Sequence, residues 1–163
     1  MSLESVRAFL AEKAPDIAIV ELGTSSQTMT LSAAWGVKPA QIAKTLALKV
    51  GDRNVLLIAW GDSRLDNKKA KSVFGGKAKM LPPEQAAAIT GHPVGGVCPF
   101  GLATPLPVYC DVALKAYAEV VPAAGSTHAA LRIDPLRLAA LAAARNFAGE
   151  RPNAALNMRE RCA

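Results

Sequence analysis

Lys44 stands in the run Ile42-Ala43-Lys44-Thr45-Leu46-Ala47-Leu48-Lys49-Val50, and about fifty residues later comes Gly91-His92-Pro93-Val94-Gly95-Gly96-Val97-Cys98-Pro99-Phe100-Gly101. If the first run is a strand, its side chains alternate between faces, so Ile42, Lys44, Leu46, Leu48 and Val50 share one face. An ammonium is costly to bury among aliphatic side chains unless an anion or a set of carbonyls meets it. The alternative is a lysine at the strand entrance whose stem covers apolar surface while its head reaches water. The later stretch packs four glycines and two prolines into eleven residues without a formal charge. Glycine lets backbone approach closely and proline fixes its own φ, so this composition describes a shaped loop whose bare N–H and C=O groups can face a ligand. A plain connecting loop with an apolar lining is the competing reading. Set opposite one another, the two stretches would offer a fixed cation and a row of backbone hydrogen-bond donors.

Other reactive side chains have bland readings beside their functional ones. Cys98 lies inside the loop, but its neighbours are apolar and no histidine is placed by sequence to activate it, so it reads as a small inert residue. His128 follows Gly125-Ser126-Thr127 and could border a pocket and assist proton transfer, or be a surface or packing histidine. His92, at the start of the loop, reads as structural. Thr45 and Ser126 could give hydroxyls to a substrate, although neither has a visible base. Asp111 follows a short strand, where an aspartate commonly caps the next turn. Lys68, Lys69 and Lys71, with Arg64, Lys77 and Lys79 around them, could hold phosphates or form a solvated helix face.

The elements that must position these groups follow from pattern. Leu3, Val6, Phe9 and Leu10 recur at helical spacing behind a possible Ser2 cap, and Pro15 closes that helix. A strand is expected over 17–21 and a short helix over 30–35 ended by Gly36. The strand 42–50 and the apolar 53–60 flank Gly51-Asp52, a hairpin signal. Asp66 can cap a helix through Phe74, and Pro82-Pro83-Glu84 opens another over 84–89. Short extended pieces follow over 106–110, 119–122 and 129–133, and Asp134-Pro135 introduces a last helix reaching about Arg145. Hairpins without regular βαβ alternation argue for an α+β fold, a mixed and largely antiparallel sheet flanked by short helices. The expected domain is 1–145. Residues 146–163 turn polar and arginine-rich and read as a flexible tail, with a partner-binding or RNA-contacting arm as the alternative.

Composition bounds the function. A chain of 163 residues that is 51% hydrophobic suits one domain with a real core. A net charge of +6 favours a polyanionic partner, though the positive charges are dispersed. Cys98, Cys110 and Cys162 are odd in number and match no zinc spacing, which fits a reducing cytoplasm without a disulfide framework. The first residues lack a signal-peptide pattern and no apolar run reaches membrane-spanning length, so the expectation is a soluble cytoplasmic protein with no membrane association.

At Lys44 in Ile-Ala-Lys-Thr-Leu, the 61–65 turn leading to Asp66, the 91–101 loop, Asp111 and Gly125, the chain resembles the YbaK/EbsC family. These are free-standing relatives of the editing domain inserted in bacterial prolyl-tRNA synthetases. The resemblance covers roughly 3–145, and its most specific element is Gly95-Gly96-Val97-Cys98-Pro99, which matches the family's Gly-x-x-x-Pro loop.

The resemblance implies a trans-editing hydrolase that deacylates mischarged aminoacyl-tRNA, without metal or organic cofactor. The substrate it implies is proline tRNA carrying a small wrong amino acid such as alanine, serine, threonine or cysteine. Lys44, Gly95, Gly96 and Gly101 would be the catalytic set, the loop amides stabilising charge on the ester carbonyl while the lysine fixes the terminal nucleotide. Val97, Cys98, Pro99, Thr45, Asp111, Ser126 and His128 would surround the substrate, and Lys68, Lys69 and Lys71 would contact the tRNA. Mischarged tRNA and prolyl-tRNA synthetase are the expected partners, for a monomer or homodimer. The competing function is a non-catalytic tRNA- or synthetase-binding module on the same fold. Retention of both Lys44 and the complete loop argues for the enzyme.

Overall fold

The computed structural model describes residues 2–21, 23, 28–61, 68, 71, 74–93, 95–142 and 147–148. Helix α1 (Ser2–Lys13) puts Val6 and Leu10 fully into the core, as their spacing predicts. Strand β1 (Val20–Glu21) is shorter than the expected 17–21, because its partner β7 (Ala129–Ala130) is only two residues long. Ile17 and Ile19 pack against the core without joining the ladder. Helix α2 (Thr28–Trp35) ends at Gly36, whose φ of 64° a side chain would resist.

The sheet is organised around β2 (Ile42–Val50) and β3 (Arg53–Trp60), an antiparallel hairpin turning at Gly51 with φ 64°. β4 (Ala78–Met80), β5 (Val108–Asp111), β6 (Val121–Pro122) and β8 (Phe147–Ala148) complete it. The order is β4-β2-β3-β5-β8, with β6 also paired to β2. The long ladder and β2/β4 are antiparallel, whereas β2/β6, β3/β5 and β5/β8 are parallel. The architecture is therefore α+β, as expected from the hairpins.

Alternation splits the hairpin between two cores. Ala43 and Ala47 of β2, with Leu56 and Ile58 of β3, enter the main cluster beneath α1 and Phe100. Leu48, Val50, Val55 and Leu57 pack on the other face with Phe74 and Tyr109. Helix α3 (Pro83–Thr90) begins with Pro83 in its first turn and stops at Gly91, φ 76°. Helix α4 (Pro135–Leu141) is shorter than the expected reach to about Arg145, and Asp134 caps it by accepting from the N–H groups of Leu136 and Arg137 at 2.8 and 3.3 Å.

The boundary expected at 145 falls before the last strand. Phe147 and Ala148 pair with Cys110 and Asp111, so the sheet extends into the segment read as a tail. The remainder of that segment, 146 and 149–163, lies outside the described residues, as do Arg64, Asp66 and Lys69. No helix among the described residues is long and apolar enough to cross a membrane.

Candidate active site

β2 carries two strands on the edge opposite β3. β6 pairs with Ile42 and Ala43, and β4 pairs with Leu48, Lys49 and Val50. Between them the sheet edge is broken. Leu81 N–H reaches the carbonyl of Ala47 at 2.9 Å, so among the described residues the β6 ladder stops at Ala43 and the β4 side resumes only at Ala47. Because the Ala47 carbonyl points to this edge, alternation turns the backbone groups of Thr45 to it as well.

A cleft of about 430 Å³ occupies the break. Lys44 and Thr45 form its floor, Leu81 and Ala86 one wall, and Gly95 and Val97 another. Lys44 and the glycine-rich loop thus meet in one cavity. Lys44 is half-buried, and the Oγ1 of Thr45 is buried with no hydrogen-bond partner among the described residues. A buried hydroxyl left unsatisfied costs about 1–3 kcal/mol, so this one is a local cost of the fold beside the cleft.

The loop's shape comes from three contacts. Gly96 N–H donates to Pro93 O at 2.9 Å, closing a turn, and Gly125 N–H donates to Gly96 O at 3.0 Å, clamping the loop to the segment before β7. Gly95 has φ 87°. Behind the loop, His92 is 1% exposed, and its Nε2 lies 2.7 Å from Phe100 O. A carbonyl can only accept, so Nε2 carries the proton. Burial pushes the His92 pKa down, against the raising effect of that carbonyl, and keeps the ring neutral.

The candidate residues fall into distinct places. Lys44, Thr45, Gly95 and Val97 line the cleft, with Gly96 buried directly behind Gly95. Cys98 and Pro99 are buried behind the loop, out of a ligand's reach. Cys98 does have a histidine beside it, which the spacing did not reveal, since its Sγ is 3.6 Å from His92 Nε2. That nitrogen already holds a proton, and burial pushes the thiol up to about 12, so the pair does not make a nucleophile. Gly101, with φ 58°, packs on α1, where a methyl group would come within 2.7 Å of Ser5 O. Ser126 accepts the N–H of His128 at 3.2 Å, and exposed His128 sits 2.8 Å from Thr127 Oγ1. Neither lines the cleft. Asp111 ends β5, two strands from β2 and roughly 10 Å across the sheet at ~4.8 Å per strand. Lys68 and Lys71 are exposed helical residues.

The loop amides divide as well. Gly96 N–H is committed to Pro93, whereas the N–H of Val97 has no partner among the described residues. Sequence reasoning did not single out Leu81, Ala86 or Ala123 as lining residues, because they reach the cleft from elements far apart in the chain.

Residues 25–141 match the family model described as the aminoacyl-tRNA editing domain. The chain belongs to that family. The editing domain is 44% identical over 140 residues to the uncharacterized protein YwhH of Bacillus subtilis, covering 85% of this chain and 89% of that protein. It is 30% identical over 98 residues to the proline–tRNA ligase of Bacillus licheniformis, covering 60% of this chain and 17% of the ligase. The fold superposes with TM-score 0.82 and 35% identity on a crystal structure proposed to be a trans-editing enzyme for prolyl tRNA synthetase, covering 89% of this chain and 94% of that one.

Proposed function

We propose that the cleft hydrolyses the ester of a mischarged aminoacyl-tRNA, acting in trans on proline tRNA that carries a small wrong amino acid. The carrying observation is that Lys44 and the Gly95–Val97 wall face one cleft at the break in the edge of β2.

An aminoacyl ester is already activated, so positioning it with a water molecule and stabilising charge on its carbonyl oxygen does most of what is needed. Val97 N–H is the donor for that oxygen. Lys44 binds the phosphate or ribose hydroxyl region of the terminal adenosine. Water adds to the carbonyl carbon, the carbon–oxygen bond to the ribose breaks, and the ribose oxygen leaves with a proton. The products are a free amino acid and deacylated tRNA. The cleft's size and its apolar walls of Leu81 and Ala86 suit a short side chain.

The test is deacylation of tRNA charged separately with alanine, serine, threonine, cysteine and proline. Release of a small wrong amino acid with prolyl-tRNA spared supports the reading. Tight tRNA binding without hydrolysis across the panel would assign the chain to the non-catalytic binding class.

A further inference from the structure

Tyrosine and cysteine aside, the polar side chains buried among the described residues are Ser32, Thr90 and His92. Two of these stand together, where α3 runs into the glycine-rich loop. Buried polar groups are retained where they make hydrogen bonds, and these two make a continuous set. Thr90 Oγ1 donates to Ala86 O at 2.7 Å and accepts the His92 N–H at 3.2 Å. His92 Nε2–H then donates to Phe100 O at 2.7 Å, across the base of the loop. Phe100 is itself fixed, fully buried with its ring stacked on Phe9 of α1 at 5.7 Å between centroids. Beyond it the chain returns to α3, with Ala103 N–H donating to Thr90 O at 3.0 Å and Thr104 N–H to Ile89 O at 3.1 Å.

This set of bonds joins two walls of the cleft. Ala86 of α3 lines one, and Gly95 and Val97 of the loop line the other. His92 is the side chain between them. Its other nitrogen, Nδ1, is buried with no hydrogen-bond partner among the described residues. An unsatisfied buried nitrogen destabilises a fold, and an aliphatic side chain of similar size would carry no such cost. Packing alone therefore does not account for an imidazole here, whereas the bond from Nε2 does.

We propose that His92 is a positioning residue for deacylation, whose Nε2–H bond to Phe100 O sets the span of the loop and so aims the Val97 N–H at the ester carbonyl. This rests on the ester-binding reading of the cleft, and it adds the residue that holds the donor in place. A misplacement of about 1 Å at a reacting centre can cost ~100-fold in rate, even when its cause lies behind the site. Lys44 stands on β2 and owes its position to the sheet, so the anchoring of the terminal nucleotide is independent of this bond.

The test is steady-state deacylation by H92Q and H92M, on an ester that wild type cleaves, with a thermal melt and an amide NMR spectrum of each protein. The glutamine amide nitrogen reaches about as far as Nε2 and can donate to Phe100 O, while methionine fills similar space without a donor. H92M should lose about 10- to 100-fold in kcat with KM held within about twofold, and H92Q should keep kcat within a few-fold. The Val97 amide resonance should move in H92M and stay in H92Q. Wild-type kcat in H92M, an equal loss in both variants, or a loss carried by KM alone would overturn the proposal. If H92M does not fold, T90V and T90S make the comparison one bond back, since only serine keeps the hydroxyl that accepts the His92 N–H. There kcat should fall in T90V and hold in T90S, and equal values would overturn the proposal. Should wild type cleave no ester, the cleft reading fails, and the Val97 resonance still decides whether His92 sets the loop.

Discussion

Gly96 lies so close to Ser126 that a methyl group on it would sit 2.7 Å from both the backbone nitrogen and the carbonyl carbon of Ser126. The loop that walls the cleft is thereby pressed against the segment before β7, and the hydrogen bond from Gly125 to Gly96 holds the two together. Gly96→Ala must push them apart. We expect a loss of about 1–3 kcal/mol in stability from the overpacking, read from denaturant midpoints, together with reduced deacylation. A variant as stable and active as wild type would mean the contact has no consequence.

Lys44→Ala should lower deacylation by about 100-fold or more, the scale of losing a group that positions the bound ester through its terminal nucleotide. Its side chain is only half-buried, so the melting temperature should move little. Steady-state turnover and a thermal melt on the same preparation separate the two effects.

Gly101→Ala should behave differently from Gly96→Ala. With φ 58° and Ser5 O within 2.7 Å of the added methyl group, it disturbs the seat of α1 and not the cleft. The expected result is a lowered midpoint of unfolding with turnover per folded molecule kept within a few-fold, about 1 kcal/mol or less in activation terms. A large loss of turnover at unchanged stability would return Gly101 to the reacting centre.

Cys98→Ala should retain deacylation, and the wild-type Cys98 thiol, pushed up to about 12 by burial, should resist alkylation in the folded protein near pH 8. Mass spectrometry of the labelled peptide before and after unfolding checks this. Rapid modification of the native thiol would contradict its burial.

His92 makes stability depend on pH. Its folded pKa lies below the ordinary value of 6.5, so the unfolded chain binds more protons as the pH falls through that value. The stabilisation is therefore complete above about pH 6.5 and is lost progressively toward the depressed folded pKa. Thermal melts between pH 7 and about pH 5 should show the decline, and His92→Gln should flatten it. An equal slope in both proteins would place the sensitivity elsewhere.

Much of this site was legible from local pattern. Alternation alone set Lys44 apart from Thr45, and the density of glycine and proline marked the loop. The α+β class followed from the Gly51-Asp52 hairpin. The break in the sheet edge was not legible, because it is made by β4 and β6, which come from positions 78–80 and 121–122 and pair with opposite ends of one strand. Spacing also could not tell Gly95, at the cleft, from Gly101, against α1, since both show only that backbone runs close to something. The contact of His92 with Cys98 was hidden for the same reason, as six residues of irregular loop fix no distance. Phe147 and Ala148 were read with the polar segment around them, although they pair with β5.

The central claim is that Lys44 and the loop act together on an aminoacyl ester. It is tested most directly by single-turnover deacylation of alanyl-, seryl-, threonyl-, cysteinyl- and prolyl-tRNA of the proline acceptor, with wild type and Lys44→Ala in parallel. The account predicts that wild type cleaves at least one small wrong amino acid and spares prolyl-tRNA, and that Lys44→Ala loses this cleavage while still folded. Equal rates for the two proteins on every cleaved ester, or no cleavage of any ester by wild type, would contradict it.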